Sequence, residues 1–121
     1  MTDELPMGDF SQGDTVTRNV SIYAAPGAAT PAVLAAPTGV YIIAASQFSS
    51  SAYLVKTGVL TQEVSTGLWT MTISLTKTET AGLPAGTLYE QVSIQDTDGS
   101  NDTVYRGGLV VTPALPLTIG V

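Results

Sequence analysis

The chain contains no cysteine and no histidine. Disulfides, thiolate nucleophiles, imidazole bases and the usual zinc ligands are therefore excluded together. Charge is also scarce, at 12% of residues, about half of the roughly 25% typical of globular domains. Basic residues are the scarcest: four Lys and Arg stand against ten Asp and Glu, for a net charge of −6. Arg18, Lys56, Lys77 and Arg106 are scattered along the chain. A phosphate-binding surface needs clustered cations that release counterions, so nucleic acid is a poor partner, and an anionic membrane surface fails on the same ground. There is no long apolar run, and the opening Met1-Thr2-Asp3-Glu4 is acidic. That pattern predicts neither a signal peptide nor a membrane span.

What remains is 121 residues with 44% hydrophobic content, enough for one domain with a real core. Thr, Ser, Gly, Ala and Gln must cover the surface in place of charge. Residues 1–13, with Pro6, Gly8 and Gly13, predict an extended arm. From Asp14 the pattern has a period of two, with Val16, Arg18, Val20 and Ile22 on one face, and predicts a strand. Residues 24–37 carry three prolines and predict a surface connection with Val33 and Leu34 tucked onto the core. Val40 to Ala45 is apolar on both faces and predicts a central strand. Residues 52–56 and 59–64 predict two short strands broken at Thr57-Gly58. Leu68 to Leu75 turns Trp69, Met71, Ile73 and Leu75 inward and Thr70, Thr72 and Ser74 outward, as in an antiparallel sheet covered on one side. Thr76-Lys77-Thr78-Glu79 has capping-box spacing and predicts a short helix, which Gly82 and Pro84 end. Residues 88–96 and 103–112 are the last strands, joined through Asp98-Gly99 as a hairpin, with a bulge expected at Gly107-Gly108.

About seven short strands and one helical corner predict an all-β, immunoglobulin-like antiparallel sandwich over residues 14–112, with extended termini. The tail 113–121 is apolar and uncharged.

Few constellations could carry chemistry. Without His or Cys, the available bases are carboxylates, Lys and Tyr, and no carboxylate pair stands out as a glycosidase site would require. The chain is expected to be no enzyme and to need no cofactor. Asp96, Asp98 and Asp102 alternate around a Gly, as in part of a calcium loop, but no distal bidentate Glu follows. A plain polar hairpin loop is the simpler reading of the three. Arg18, Glu90 and Arg106 sit on otherwise apolar faces. Glu90 lies opposite or diagonal to Arg106 across the last hairpin, which predicts a structural ion pair at the sandwich end. The five tyrosines are spread over many elements, so a carbohydrate-binding module is a lesser reading.

Three stretches together carry a resemblance. They are Gly13-Asp14-Thr15 with its following strand; Gly67-Leu68-Trp69-Thr70-Met71 leading to Leu83-Pro84-Ala85-Gly86-Thr87-Leu88-Tyr89; and Asp98-Gly99 with Tyr105-Arg106-Gly107. The chain resembles small immunoglobulin-like modules in structural proteins of tailed bacteriophages, and is similar to the N-terminal domain of phage baseplate upper proteins. The resemblance covers nearly the whole chain outside its ends, although the connection 24–37 is longer than the family's. It implies a non-catalytic virion protein, assembled in the host cytoplasm. The module ends without a receptor-binding or coiled segment, so the expectation is a capsid decoration or cement protein; the alternative is a tail, baseplate or fibre component. Its partners would be the major capsid protein or a tail protein, with self-association. The apolar residues of the two ends, Leu5, Phe10, Leu115, Leu117, Ile119 and Val121, are the docking candidates.

Overall fold

The computed structural model describes residues 9–24, 30–97 and 101–114. Its elements are β1 (Phe10–Ser11), β2 (Val16–Ile22), β3 (Thr38–Ala44), β4 (Leu54–Gln62), β5 (Trp69–Leu75), α1 (Lys77–Ala81), β6 (Gly86–Gln95) and β7 (Asn101–Thr112). The strands hydrogen-bond in the order β1-β7-β6-β3-β4-β5-β2. Non-sequential neighbours of this kind, with β3 beside β6 and β2 beside β5, make an all-β sandwich. One pairing departs from the expected antiparallel pattern: β1 runs parallel to β7. Phe10 and Ser11, expected in a free arm, thus already belong to the sheet.

β4 explains how the sheets join. The sequence suggested two strands broken at Thr57-Gly58, but β4 is continuous. Its first half pairs with β3, through Gly58 opposite Gly39, and its second half pairs with β5 from Val59 on. The apparent break is a change of partner, so one strand belongs to both layers and the sandwich is nearly a barrel. Gly39 and Gly58 face each other at that point because the Met71 side chain fills the space their missing side chains leave. A Cβ on Gly39 would come 2.5 Å from Met71 Sδ, and one on Gly58 would come 2.3 Å from Met71 Cε.

The alternation read in β2 and β5 holds. Val20, Ile22, Met71, Ile73 and Leu75 are buried, together with Tyr41, Ile43, Val92, Ile94, Leu109 and Val111 from the other layer. β3 is central, between β6 and β4. The helical corner forms with both halves of its capping box: Glu79 N donates to Thr76 Oγ1, and Thr76 N donates to Glu79 Oε1.

Two details differ from expectation. In the connection before β3, Val33 is exposed, Leu34 is half-buried and Ala32 takes the core position. The last hairpin is regular at Gly107 and Gly108, which pair with Glu90 and Tyr89. Its irregularity lies instead between Val92 and Ser93, opposite Tyr105 and Thr103. Gly107 has a different reason to be glycine, since a Cβ there would stand 2.8 Å from Tyr105 Oη. The turn residues 98–100, including Asp98-Gly99, lie outside the described residues.

Candidate functional site

The two layers close on a buried polar cluster. Arg18 on β2 and Glu90 on β6 both point inward, from strands in different layers. Glu90 is fully buried and Arg18 nearly so, and Arg18 Nε lies 3.6 Å from Glu90 Oε1. The Tyr41 hydroxyl, also buried, donates to the same oxygen at 2.5 Å. The Phe10 ring of β1 lies 5.3 Å from the guanidinium carbon, in cation–π contact. Burial pushes the Glu90 carboxyl above the usual carboxylate range, despite the opposing pull of the Tyr41 hydrogen bond and the Arg18 charge; Asp9 adds to the rise. Burial first, and then the Glu90 charge, also raise the Tyr41 hydroxyl.

The expected Glu90–Arg106 ion pair is therefore corrected. Arg106 is exposed and pairs in register with Gln91, one residue away and on the other face. Hairpin pairing alone pointed to Arg106, whereas the real partner comes from across the core. The position of Arg18 on an otherwise apolar strand face is the signal for this partner that the sequence carries. The cluster is closed to solvent, so it positions strands and offers nothing to a substrate.

Phe10 is likewise no docking residue. It is 8% exposed and packs in the core. Leu5, Leu115, Leu117, Ile119 and Val121 lie outside the described residues. What the structure does place is the edge from which both terminal segments depart. Gln12 N donates to Thr112 O, Val110 N donates to Asp9 Oδ1, and Ala114 N donates to Gln12 Oε1. The Ser11 and Thr112 hydroxyls bond to each other. A hollow beside these bonds is lined by Gln12, Gly13, Asp14, Thr112, Pro113 and Ala114. Thr80 of α1 donates from its hydroxyl to Asp14 O, and Gln12 Nε2 to Leu83 O, so the helical corner braces the same edge.

Of the three aspartates, two are described. Asp98 lies outside the described residues, and Asp102 is exposed. The Asp96 carboxylate accepts from the backbone amides of Ala35, Ala36 and Thr97. Those bonds hold its pKa below the usual range. Asp96 is thus the anchor that ties the Pro-rich connection to the end of β6. Among the described residues no group of three or more acidic side chains is placed to hold a metal ion. Asp96→Asn should speed hydrogen exchange at the Ala35 and Ala36 amides while leaving the β5 amides protected. Unchanged exchange at Ala35 and Ala36 would refute the anchoring role.

A second feature was not read from the sequence. The β3–β4 turn is fastened by its own serines: Ser49 N donates to Ser46 O, Ser46 N to Ser49 Oγ and Phe48 N to Ser46 Oγ. This hydrogen-bonded turn carries Phe48, 87% exposed, beside the outer face of β6.

No family model matches the chain, and no curated protein matches it. Among the described residues no helix is long and apolar enough to cross a membrane.

Proposed function

We propose that this chain is a non-catalytic structural module of a bacteriophage virion, docking on the capsid as a decoration or cement protein. The observation that carries the reading is the terminal edge. Residues 9–14 and 110–114 are bonded side by side, so the segments before and after them leave from the two ends of one parallel strand pair at the same sheet edge. Neither segment carries a Lys or Arg, and in the second only Thr118 has a polar side chain. Two terminal segments reaching a neighbour from one braced edge suit β-strand addition or groove filling. The resemblance to phage immunoglobulin-like modules supports the same role, as does a surface that relies on Thr and Ser in place of charge.

The test is co-sedimentation of the purified chain with capsids lacking it. Deleting residues 1–8 and 115–121 together should abolish capsid binding while thermal unfolding stays cooperative. Full binding by the doubly deleted chain would refute docking through the ends. The alternative placement, in the tail, baseplate or fibre, follows from the baseplate resemblance. Immunogold labelling of intact particles separates the two, since label on tails alone would overturn the capsid reading.

A further inference from the structure

We propose that the depression between the β3–β4 turn and the outer face of β6 is a binding site for an uncharged glycan. Its floor is a cross-strand row in which Ala44 on β3, Tyr89 on β6 and Gly108 on β7 lie side by side. Tyr89 is half-buried, and beside it Gly108 leaves room: a Cβ there would meet nothing within 4 Å. Phe48 stands over one side of this space. Two adjoining hollows, of about 270 and 180 Å³, share Ser46, Gln47 and Tyr89. Phe48 borders the larger hollow and Gln91 the smaller.

The chemistry of the lining selects the ligand. Aromatic rings offer apolar faces on which the C–H face of a sugar ring can lie. Side-chain amides offer a donor and an acceptor together, which matches vicinal hydroxyl groups. Gln47 and Gln91 supply two such amides to the lining; that of Gln91 donates one N–H to Ser93 Oγ and keeps its second N–H and its carbonyl oxygen for a ligand. Among the described residues no charged side chain lines either hollow, and Arg106, in register with Gln91 on the same outer face, borders neither. An anionic glycan would find no cation there, and a charged peptide no counter-charge. The bonding of the turn matters as well. The turn that carries Phe48 is closed by hydrogen bonds that form without any ligand, so little cost of ordering its backbone remains on binding. An apolar protein segment would use the Phe48 wall but would leave the two amides unmatched, and is therefore disfavoured.

The experiment titrates the full chain with neutral oligosaccharides of glucose, mannose and galactose, read by chemical-shift changes and by calorimetry. At least one probe should bind, with shifts centred on Phe48, Tyr89 and Gly108. Tyr89→Ala and Phe48→Ala should each weaken binding roughly tenfold or more, the scale of one stacking contact. Gly108→Leu should block the site by filling it. Phe48 is exposed and Gly108 faces open space, so both variants should melt like the parent. The proposal is overturned if no neutral probe binds at millimolar concentration. It is equally overturned if binding survives all three substitutions, if only charged glycans bind, or if Phe48→Ala removes attachment to a virion protein with no glycan binding.

Discussion

Arg18→Ala should lower stability by about 3–5 kcal/mol, the usual cost of stranding one member of a buried ion pair. In a domain of this size that is a fall in Tm of roughly 10 °C or more. The substitution leaves the Glu90 carboxyl enclosed beside the Tyr41 hydroxyl without its cation, and removes the cation stacked on the Phe10 ring. The triple variant Arg18→Met, Tyr41→Phe and Glu90→Leu tests whether polarity itself is needed. It should recover most of the loss, because apolar groups of similar volume often replace buried ion pairs at no net cost. A small effect of Arg18→Ala would show that the cluster does not hold the layers together.

The pH dependence has a definite sign. The folded pKa of Glu90 is raised, with burial as the largest cause. Its contribution is therefore full below the ordinary Glu range and is lost as pH rises through the folded value. Glu79 and Asp96 behave oppositely. The Lys56 hydrogen bond lowers Glu79, and backbone amides lower Asp96, so their contributions are present above the ordinary carboxylate range and are lost as pH falls. Glu90→Gln should thus flatten the decline on the upper side and leave the acid limb unchanged. Urea unfolding at a series of pH values reads both limbs. Parallel curves for the parent and Glu90→Gln would refute the assignment.

The second large effect is expected at the strand that changes layers. Gly58→Ala forces a methyl group against Met71, with the Cβ 2.3 Å from Cε and 2.7 Å from Cγ. Met71 is fully buried, so its side chain has little room to turn. Overpacking of this kind costs about 1–3 kcal/mol. Met71→Ala alone opens a cavity and costs about 2–5 kcal/mol. The double variant should be more stable than the sum of the two losses predicts, since each change relieves the other. Strict additivity, measured by chemical denaturation, would show that the glycine pair is not there for Met71.

The parts of the fold legible in the sequence were those governed by local rules. The alternation of β2 and β5, the central place of β3 and the capping box of α1 all follow from residues adjacent in the chain. The parts that escaped depend on chain segments meeting across the sandwich. Thr57-Gly58 looked like a break because glycine ends strands locally, yet this glycine is there to admit Met71 from β5. Arg18 and Glu90 were each visible as inward charges, but hairpin register directed Glu90 to Arg106, and only the facing layers bring Arg18 to it. Phe10 looked like an exposed arm residue because nothing nearby in sequence covers it; its cover comes from Arg18 and the core. The anchoring role of Asp96 has no trace in the sequence for a further reason. Its partners are backbone amides at Ala35 and Ala36, which have no side-chain signature at all.

The parallel pairing of β1 with β7 has a mechanical consequence. The chain before Phe10 runs back along β7 toward Val110, and the chain after Thr112 runs forward past Gln12. Tension between the two ends would therefore slide β1 along β7 and load their bonds together in shear, in place of peeling them one at a time. The rest of the sandwich would carry almost none of that load until this short clamp gave way.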